Sequence, residues 1–186
     1  MTDTPACSRQ HSDRVAKPVT TLKNILLLGA IVALAAVFGG SLYETSVNAP
    51  NFNANIPESL EHYRLFISVK NPGNFFRVVA PAAQILVLIS LLLNWKRPVG
   101  RRWWLFATAV FIISVDIITF TVHYPRNALM FTAPMTVPVE ILQKAAAEWL
   151  LWNYARVALV LGAFLSSLWA ITLGDADGPN GGLAIE

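Results

Sequence analysis

The chain has 186 residues, of which 55% are hydrophobic and 13% are charged, and its mean hydropathy is +0.51. Soluble domains carry about 25% charged residues, so this composition excludes an ordinary soluble protein and predicts a single domain in a lipid bilayer. The net charge of +3 comes from Lys and Arg grouped beside apolar segments, which argues against nucleic acid as a partner. Cys7 stands alone, so no disulfide can form within the chain.

Four apolar segments follow one another along the chain, each long enough for the roughly 20 residues that a membrane-spanning helix needs. The sequence therefore predicts an all-α fold, a four-helix transmembrane bundle with short extra helices in the outer loops. The sequence predicts a disordered tail, 1–24, then a membrane domain, 25–173, and a second disordered tail, 174–186. The predicted spans are 25–43, 76–95, 103–124 and 149–173.

The distribution of Lys and Arg predicts the orientation of these spans. Basic residues cluster tightly in the N-terminal tail and in the segment between the second and third spans, whereas the other side carries fewer of them. Basic segments stay on the cytoplasmic side of a membrane. We therefore expect a multi-pass protein of the bacterial inner membrane with both termini in the cytoplasm.

The two outer connections carry helix signals of their own. In the first connection, 44–75, Asn55 can cap a short helix that has Glu58 at its third position, a capping-box arrangement. The apolar face of this helix predicts that it lies on the membrane surface or covers the bundle; that face holds Leu60, Tyr63 and Ile67. In the second connection, Pro125 is expected to end the third span, and a helix from about Val139 is expected to run into the fourth span.

Small residues repeat at helical spacing in the first and fourth spans, which predicts that these two helices pack against each other. Small side chains let helix backbones approach closely in a membrane, where dispersion drives association. The two stripes are Gly29, Ala33, Ala36 and Gly40 in the first span, and Ala155, Ala158, Gly162 and Ser166 in the fourth.

Polar side chains in three spans lie at a matching depth. Asp116 and Arg156 each lie about 12 Å below the outer surface by helical rise, and Gln84 reaches a similar level. Seven residues is nearly two helical turns, so His123 lies on the same stripe as Asp116, and Trp149 on the same stripe as Arg156. One interpretation is a pocket open to the outer face, with Asp116 and Arg156 as its floor and Gln84, His123, Trp152 and Asn153 as its walls.

The alternative is a structural ion pair between Asp116 and Arg156, with Gln84 and Asn153 as hydrogen-bonding ties between helices. Likewise His123 fits either a general base or an interfacial hydrogen-bonding residue. We expect no metal site, because the three histidines of the chain lack paired ligand spacing.

Two short motifs resemble a bacterial and fungal membrane family. They are Tyr124-Pro125-Arg126-Asn127 at the end of the third span and the segment from Trp149 to Arg156, with Trp152 and Asn153 inside it. A glycine-rich first span that ends at Tyr43 also fits. The family consists of four-helix proteins and includes the anthrone oxygenases of polyketide pathways, and the resemblance covers about residues 25–172.

The resemblance implies a cofactor-independent oxygenase acting on a small apolar or phenolic molecule. His123 or Asp116 would be the base, and Arg156 and Asn127 would stabilise the enolate oxygen. The candidate catalytic residues are therefore Asp116, His123 and Arg156, and the candidate substrate-binding residues are Gln84, Asn127, Trp149, Trp152 and Asn153. A non-catalytic binding or carrier protein and a structural subunit of a membrane complex stay open as alternatives, as does the oligomeric state.

Overall fold

The computed structural model describes residues 6–95, 99–134 and 136–173, with side chains described for 21–95, 100–134 and 136–173. The predicted C-terminal tail, 174–186, lies outside the described residues, whereas residues 6–24, expected to be unstructured, belong to a helix that begins at Ala6. Four helical stretches among the described residues are long and apolar enough to cross a membrane. They are span 1, Thr21–Asn53; span 2, Pro72–Leu93; span 3, Gly100–Thr132; and span 4, Val139–Thr172.

Spans 1 and 3 contain π-helical turns between their α-helical segments, and a short helix lies between spans 1 and 2. We call this short helix, Glu58–Phe66, the lid helix. The α-helical segments are Ala6–Tyr43, Ala49–Asn53, Glu58–Phe66, Pro72–Leu93, Val99–Ile118, Tyr124–Asn127 and Val139–Thr172, and the π-helical segments are Glu44–Asn48, Thr119–His123 and Ala128–Thr132. The described chain is therefore helical, as the sequence predicts, and the helices of spans 1 and 3 continue beyond residues 43 and 124.

Each π-helical segment ends immediately before a residue that is followed by proline. The N–H groups of Ala49, Tyr124 and Ala133 donate to carbonyl oxygens five residues back, at Glu44, Thr119 and Ala128. In an α-helix the proline ring would clash with the carbonyl four residues back. The wider turn relieves this clash, so span 1 continues through Pro50 to Asn53 and span 3 continues through Pro125 to Thr132, where the sequence predicted loops.

Spans 2 and 4 begin earlier in the chain than their predicted starts. Asn71 caps span 2, because its side chain accepts from the Asn74 backbone and its own N–H donates to Asn74 Oδ1 at 2.9 Å. This capping box starts span 2 at Pro72, four residues before its predicted start. Span 4 runs from Val139 without a break, so the predicted outer helix and the fourth span are one helix.

The four spans form a ring in which span 1 contacts spans 2 and 4, and span 3 contacts spans 2 and 4. The predicted contact between spans 1 and 4 is present, but the glycines of the two stripes face other partners. Gly29 lies against Leu86 and Gly40 lies against Phe75 and Phe76 of span 2, whereas Gly162 lies against the ring of Phe111 of span 3. These glycines therefore make room for large side chains of spans 2 and 3.

Two apolar clusters divide the bundle along its length. The inner cluster joins all four spans and includes Leu27, Leu34, Val87 and Leu105. The outer cluster joins the lid helix to spans 1, 3 and 4; its members include Phe52, Leu60, Tyr63, Met130, Leu142 and Trp149. The polar residues of the outer half therefore lie between an apolar floor and an apolar roof.

Arg64 fastens the lid helix to the end of span 3. Its guanidinium donates to the carbonyl oxygens of Met130 at 2.6 Å, Ala133 at 2.8 Å and Leu129 at 3.3 Å. The last carbonyls of a helix lack intrahelical partners and carry partial negative charge, so a guanidinium there satisfies them. Burial lowers the pKa of Arg64, and the carboxylate of Glu61 partly offsets this effect.

The contact of Gly40 with two phenylalanine rings gives a matched test of this packing. A Cβ at Gly40 would lie 2.9 Å from Phe75 Cε1 and 3.2 Å from Phe76 Cζ, whereas a Cβ at Gly39 would have nothing within 4 Å. Both substitutions by alanine gain about 1 kcal/mol of helix propensity, but overpacking costs about 1–3 kcal/mol. We expect Gly40→Ala to melt several degrees below Gly39→Ala in detergent, and equal melting temperatures would contradict this packing.

Candidate functional site

A cavity of about 670 Å³ lies between the two apolar clusters. All four spans and the lid helix contribute to its lining. Its size falls within the range of about 300–1,000 Å³ that is typical of small-molecule sites. Aromatic side chains make up much of the wall; they are Tyr63, Phe76, Phe120, Tyr124, Phe131 and Trp149.

The cavity brings together six of the eight residues that the sequence singled out, and two lie elsewhere. The six that line it are Gln84, Asp116, His123, Asn127, Trp149 and Arg156. Trp152 does not line the cavity and is 42% exposed on the outside of the bundle. Asn153 is fully buried and donates to Thr45 Oγ1 at 2.6 Å, which ties span 4 to span 1. Asn153 is therefore a hydrogen-bonding tie between helices, which was the alternative to a place in the wall of the pocket.

His123 presents one ring nitrogen without a partner. Its side chain is 1% exposed, and its Nδ1 lies 3.5 Å from the carbonyl oxygen of Ile118 across the π-helical turn. In the tautomer with the proton on Nδ1, this nitrogen donates to the carbonyl and Nε2 carries a lone pair. Nε2 is buried and makes no hydrogen bond in standard geometry with any residue that the structure describes, and the Asn153 side chain is a polar neighbour of the ring. The ring packs edge-on against Trp149, with centroids 5.3 Å apart.

Arg156 lines the inner part of the cavity and makes no ion pair with the residues that the structure describes. The ion pair that the structure records between described residues joins Arg126 to Glu148, at 2.7 Å, and not Asp116 to Arg156. The alternative of a structural Asp116–Arg156 pair is therefore wrong. The guanidinium of Arg156 lies 5.6 Å from the centroid of the Phe76 ring, and its Nε is buried without a hydrogen bond to any described residue.

Glu44 supplies the negative charge nearest to Arg156 and was missed as a site residue. It lines the cavity, is 8% exposed and is an electrostatic neighbour of the guanidinium. Asn48, one turn further along the π-helical segment, donates to its carboxylate. The sequence placed Glu44 in a connection between spans because the first apolar run ends at Tyr43. A buried acid at the end of an apolar run was the signal that could have identified it.

Asp116 is bound to Gln84 instead of Arg156. Gln84 Nε2 lies 2.9 Å from both carboxylate oxygens of Asp116, so the two side chains join spans 2 and 3 at the lower edge of the cavity. Below them a small apolar cavity of about 30 Å³ continues toward the inner cluster. Asp116 and Gln84 therefore lie side by side, at the matching depth that the sequence predicts for them.

Two contacts hold the outer ends of spans 3 and 4 together. Trp149 Nε1 donates to Asn127 Oδ1 at 2.8 Å, and Arg126 donates to Glu148 through Nε at 3.0 Å and through its terminal nitrogen at 2.7 Å. The first contact is inside the cavity and orients the Asn127 amide. The second lies outside it and fixes the relative position of the two helices.

Comparison with known proteins identifies the family. Residues 72–166, just over half of the chain, match the family model described as anthrone oxygenase. The chain belongs to the anthrone oxygenase family. No curated protein matches the chain, and no solved structure does either.

The part that matches the anthrone oxygenase family runs from the start of span 2 into span 4 and contains all six predicted residues that line the cavity. Span 1 and the lid helix lie outside it, so Glu44 and Tyr63 complete the cavity from unmatched parts of the chain. Burial raises the pKa of the Tyr63 phenol, and the nearby Glu44 carboxylate raises it further. This phenol is therefore a neutral hydrogen-bond donor in the wall of the cavity at physiological pH.

Proposed function

We propose that this member of the anthrone oxygenase family oxidises an anthrone-type aromatic ketone with dioxygen in the cavity between the two clusters, without a cofactor. The substrate loses a proton from its acidic ring carbon, and the resulting enolate passes an electron to dioxygen. The substrate radical and the superoxide then combine through a carbon–oxygen bond and take up the proton to give a hydroperoxide. This hydroperoxide loses water to give the quinone. One anthrone and one dioxygen thus yield one anthraquinone and one water.

His123 is the base in this proposal, because it lines the aromatic-walled cavity and its Nε2 makes no hydrogen bond in standard geometry with a described residue. A histidine is suited to this task because its ordinary pKa lies close to physiological pH. Asp116, the other candidate, already accepts from Gln84 at both oxygens. The observation that carries the proposal is that His123 and the guanidinium of Arg156, which has no ion-pair partner among the described residues, line the same cavity.

Arg156 stabilises the enolate oxygen in this proposal. A developing negative charge inside a water-poor cavity gains most from a preorganised donor that is already desolvated. Among the described residues the guanidinium of Arg156 has no ion-pair partner and its buried Nε has no acceptor, so it is available to such an oxygen. Asn127, held by Trp149, adds an amide, and the rings of Phe76 and Trp149 offer surfaces for stacking.

We also propose that the protein lies in a bacterial inner membrane with both termini in the cytoplasm and the lid helix on the outer side. The support is the clustering of Lys and Arg in the N-terminal segment and between spans 2 and 3. The lid helix and the outer ends of spans 3 and 4 then lie at the outer surface.

The test is oxygen uptake by the purified protein in lipid nanodiscs with anthrone as substrate. We expect anthraquinone to form faster than in empty nanodiscs, with one dioxygen consumed per quinone. With ¹⁸O₂, one labelled oxygen should appear in the quinone and the other in water. Uptake no faster than the spontaneous reaction, or formation of hydrogen peroxide in place of labelled quinone, would contradict the proposal.

A non-catalytic carrier is the second candidate, and the inner cluster argues against it. A carrier that moves its cargo across the membrane needs a route that continues to the other side. The cavity ends at the apolar side chains of the inner cluster, which pack all four spans together. Binding of anthrone without oxygen uptake would favour the carrier.

A further inference from the structure

We propose that the cavity opens sideways into the bilayer through a slot between spans 2 and 3, and that an uncharged polycyclic aromatic molecule dissolved among the lipid chains enters there. This inference rests on the proposed function for the identity of the occupant. Its test uses binding alone, so the two proposals can fail separately.

The exposure of the residues that line the cavity locates the slot. Lining residues from span 1, the lid helix and span 4 are buried or half-buried, whereas every exposed one belongs to span 2, its cap or span 3. Phe120 is 63% exposed and Tyr124 is 50% exposed, although both line the cavity. The exposed lining residues are Asn71, Arg77, Pro81, Phe120, Tyr124, Ala128 and Thr132.

Spans 2 and 3 also contact each other least among the four neighbouring pairs of spans. Where they do meet, at Gln84 and Asp116, the contact is at the lower edge of the cavity. Above this contact the two helices are separated by the cavity itself. The seam between them is therefore an opening that begins at the outer surface and ends at the Gln84–Asp116 contact.

The depth of this opening places it in the hydrocarbon of the bilayer. Span 2 has 22 residues and is about 33 Å long, close to the roughly 30 Å of a bilayer core. Pro81 is nine residues after Pro72 and Gln84 is twelve after it, which corresponds to about 14 and 18 Å along the axis. A slot that reaches these residues meets lipid chains over most of its length.

The other routes into the cavity are covered. The outer cluster forms a roof, and Arg64 fastens the lid helix to three carbonyl oxygens at the end of span 3. The inner cluster closes the opposite end. A molecule that came directly from water would have to enter at the outer end of the slot, beside Asn71 and Thr132, or displace the roof.

The rim of the slot indicates what passes through it. Its deeper part consists of Pro81, Phe120 and Tyr124, and the rings of Phe120 and Tyr124 pack edge to face with centroids 5.1 Å apart. Its charged member, Arg77, lies toward the outer surface, where its Nε donates to the Gly73 carbonyl oxygen at 3.1 Å. An apolar aromatic rim at hydrocarbon depth favours a flat, uncharged aromatic ring system.

Spin labels at two positions of span 3 test the slot in proteoliposomes, with Cys7→Ser as background. Phe120→Cys places a nitroxide at the rim. Ile117→Cys places one on the same helix at 58% exposure, away from the cavity lining. Anthracene, an unreactive three-ring hydrocarbon, serves as the occupant. Collision with dioxygen reports contact with lipid, and collision with a water-soluble nickel chelate reports contact with water.

We expect both labels to collide with dioxygen more than with the nickel chelate. Anthracene should lower the dioxygen collision rate at least twofold at position 120 and leave position 117 unchanged. The slot would be overturned if the label at position 120 collided with the nickel chelate more than with dioxygen. It would also be overturned if anthracene had no effect at that position. Should Phe120→Cys not accumulate, Ala128→Cys takes its place, with Thr121→Cys as its exposed control.

Turnover separates this inference from the proposed function. An anthracene effect confined to position 120 in a protein without oxygen uptake would retain the slot and remove the oxygenase. Oxygen uptake by a protein in which position 120 contacts water would support the proposed oxygenase activity and contradict the slot.

Discussion

Arg156→Ala is expected to lower kcat/KM for anthrone oxidation by about 10²- to 10³-fold while the protein still inserts and folds. A loss of this size is typical when a donor to a developing oxyanion is removed from a desolvated site. Folding should survive because the structure records no ion pair of this guanidinium within the described residues. The kcat/KM of Arg156→Lys should lie between those of the wild type and Arg156→Ala, because lysine keeps the charge but not the planar fork of donors.

The control for the loss of one positive charge is Arg102→Ala. Arg102 lies at the inner end of span 3, over the rings of Trp95 and Trp103 and remote from the cavity lining. Its alanine variant should oxidise anthrone at the wild-type rate. A wild-type rate in Arg156→Ala, measured at equal protein abundance, would rule out the assigned role of this arginine.

His123→Gln is expected to slow oxygenation by about 10²- to 10⁴-fold, the usual contribution of a general base. Glutamine keeps most of the ring volume and a donor for the Ile118 carbonyl, but it cannot take up a proton. The matched control is His62→Gln, because His62 is exposed on the lid helix and does not line the cavity. Initial rates of oxygen uptake give the comparison.

Asp116→Asn decides between the two candidate bases. An asparagine there can still accept a hydrogen bond from Gln84, so the contact between spans 2 and 3 is largely kept. With His123 as the base, Asp116→Asn should lose much less activity than His123→Gln. A larger loss in Asp116→Asn, with His123→Gln within about threefold of wild type, would make Asp116 the base.

The fold could be predicted because hydropathy and length dominate in a bilayer, where the backbone must satisfy its own hydrogen bonds. The span ends at Tyr43 and Tyr124 could not be predicted in the same way. Proline is a reliable stop signal in an α-helix, but a π-helical turn immediately before it removes the clash. Sequence spacing does not show where such a turn forms, so the outer third of spans 1 and 3 was assigned to loops.

The candidate site was found by depth and by seven-residue spacing, and it was incomplete for a related reason. Gln84, Asp116 and Arg156 share a level because three straight helices place them there. Glu44 was missed because it lies in the first π-helical segment, inside a presumed loop. Trp152 and Asn153 follow Trp149 by three and four residues, so they lie on opposite sides of its stripe. Trp152 is turned to the outside of the bundle, and Asn153 is turned toward span 1.

The π-helical turns also set a limit on how this scaffold can change in length. Each one holds a residue more than an α-helical turn, so deleting that residue would leave a continuous helix whose distal part is rotated by about 100° and drawn in by about 1.5 Å. Within Thr119–His123 such a deletion would swing Asn127 and the Arg126–Glu148 contact away from span 4. Insertions and deletions are therefore cheapest in the connection 133–138, and the number of residues from Asp116 to Asn127 is as much a part of the site as their identity.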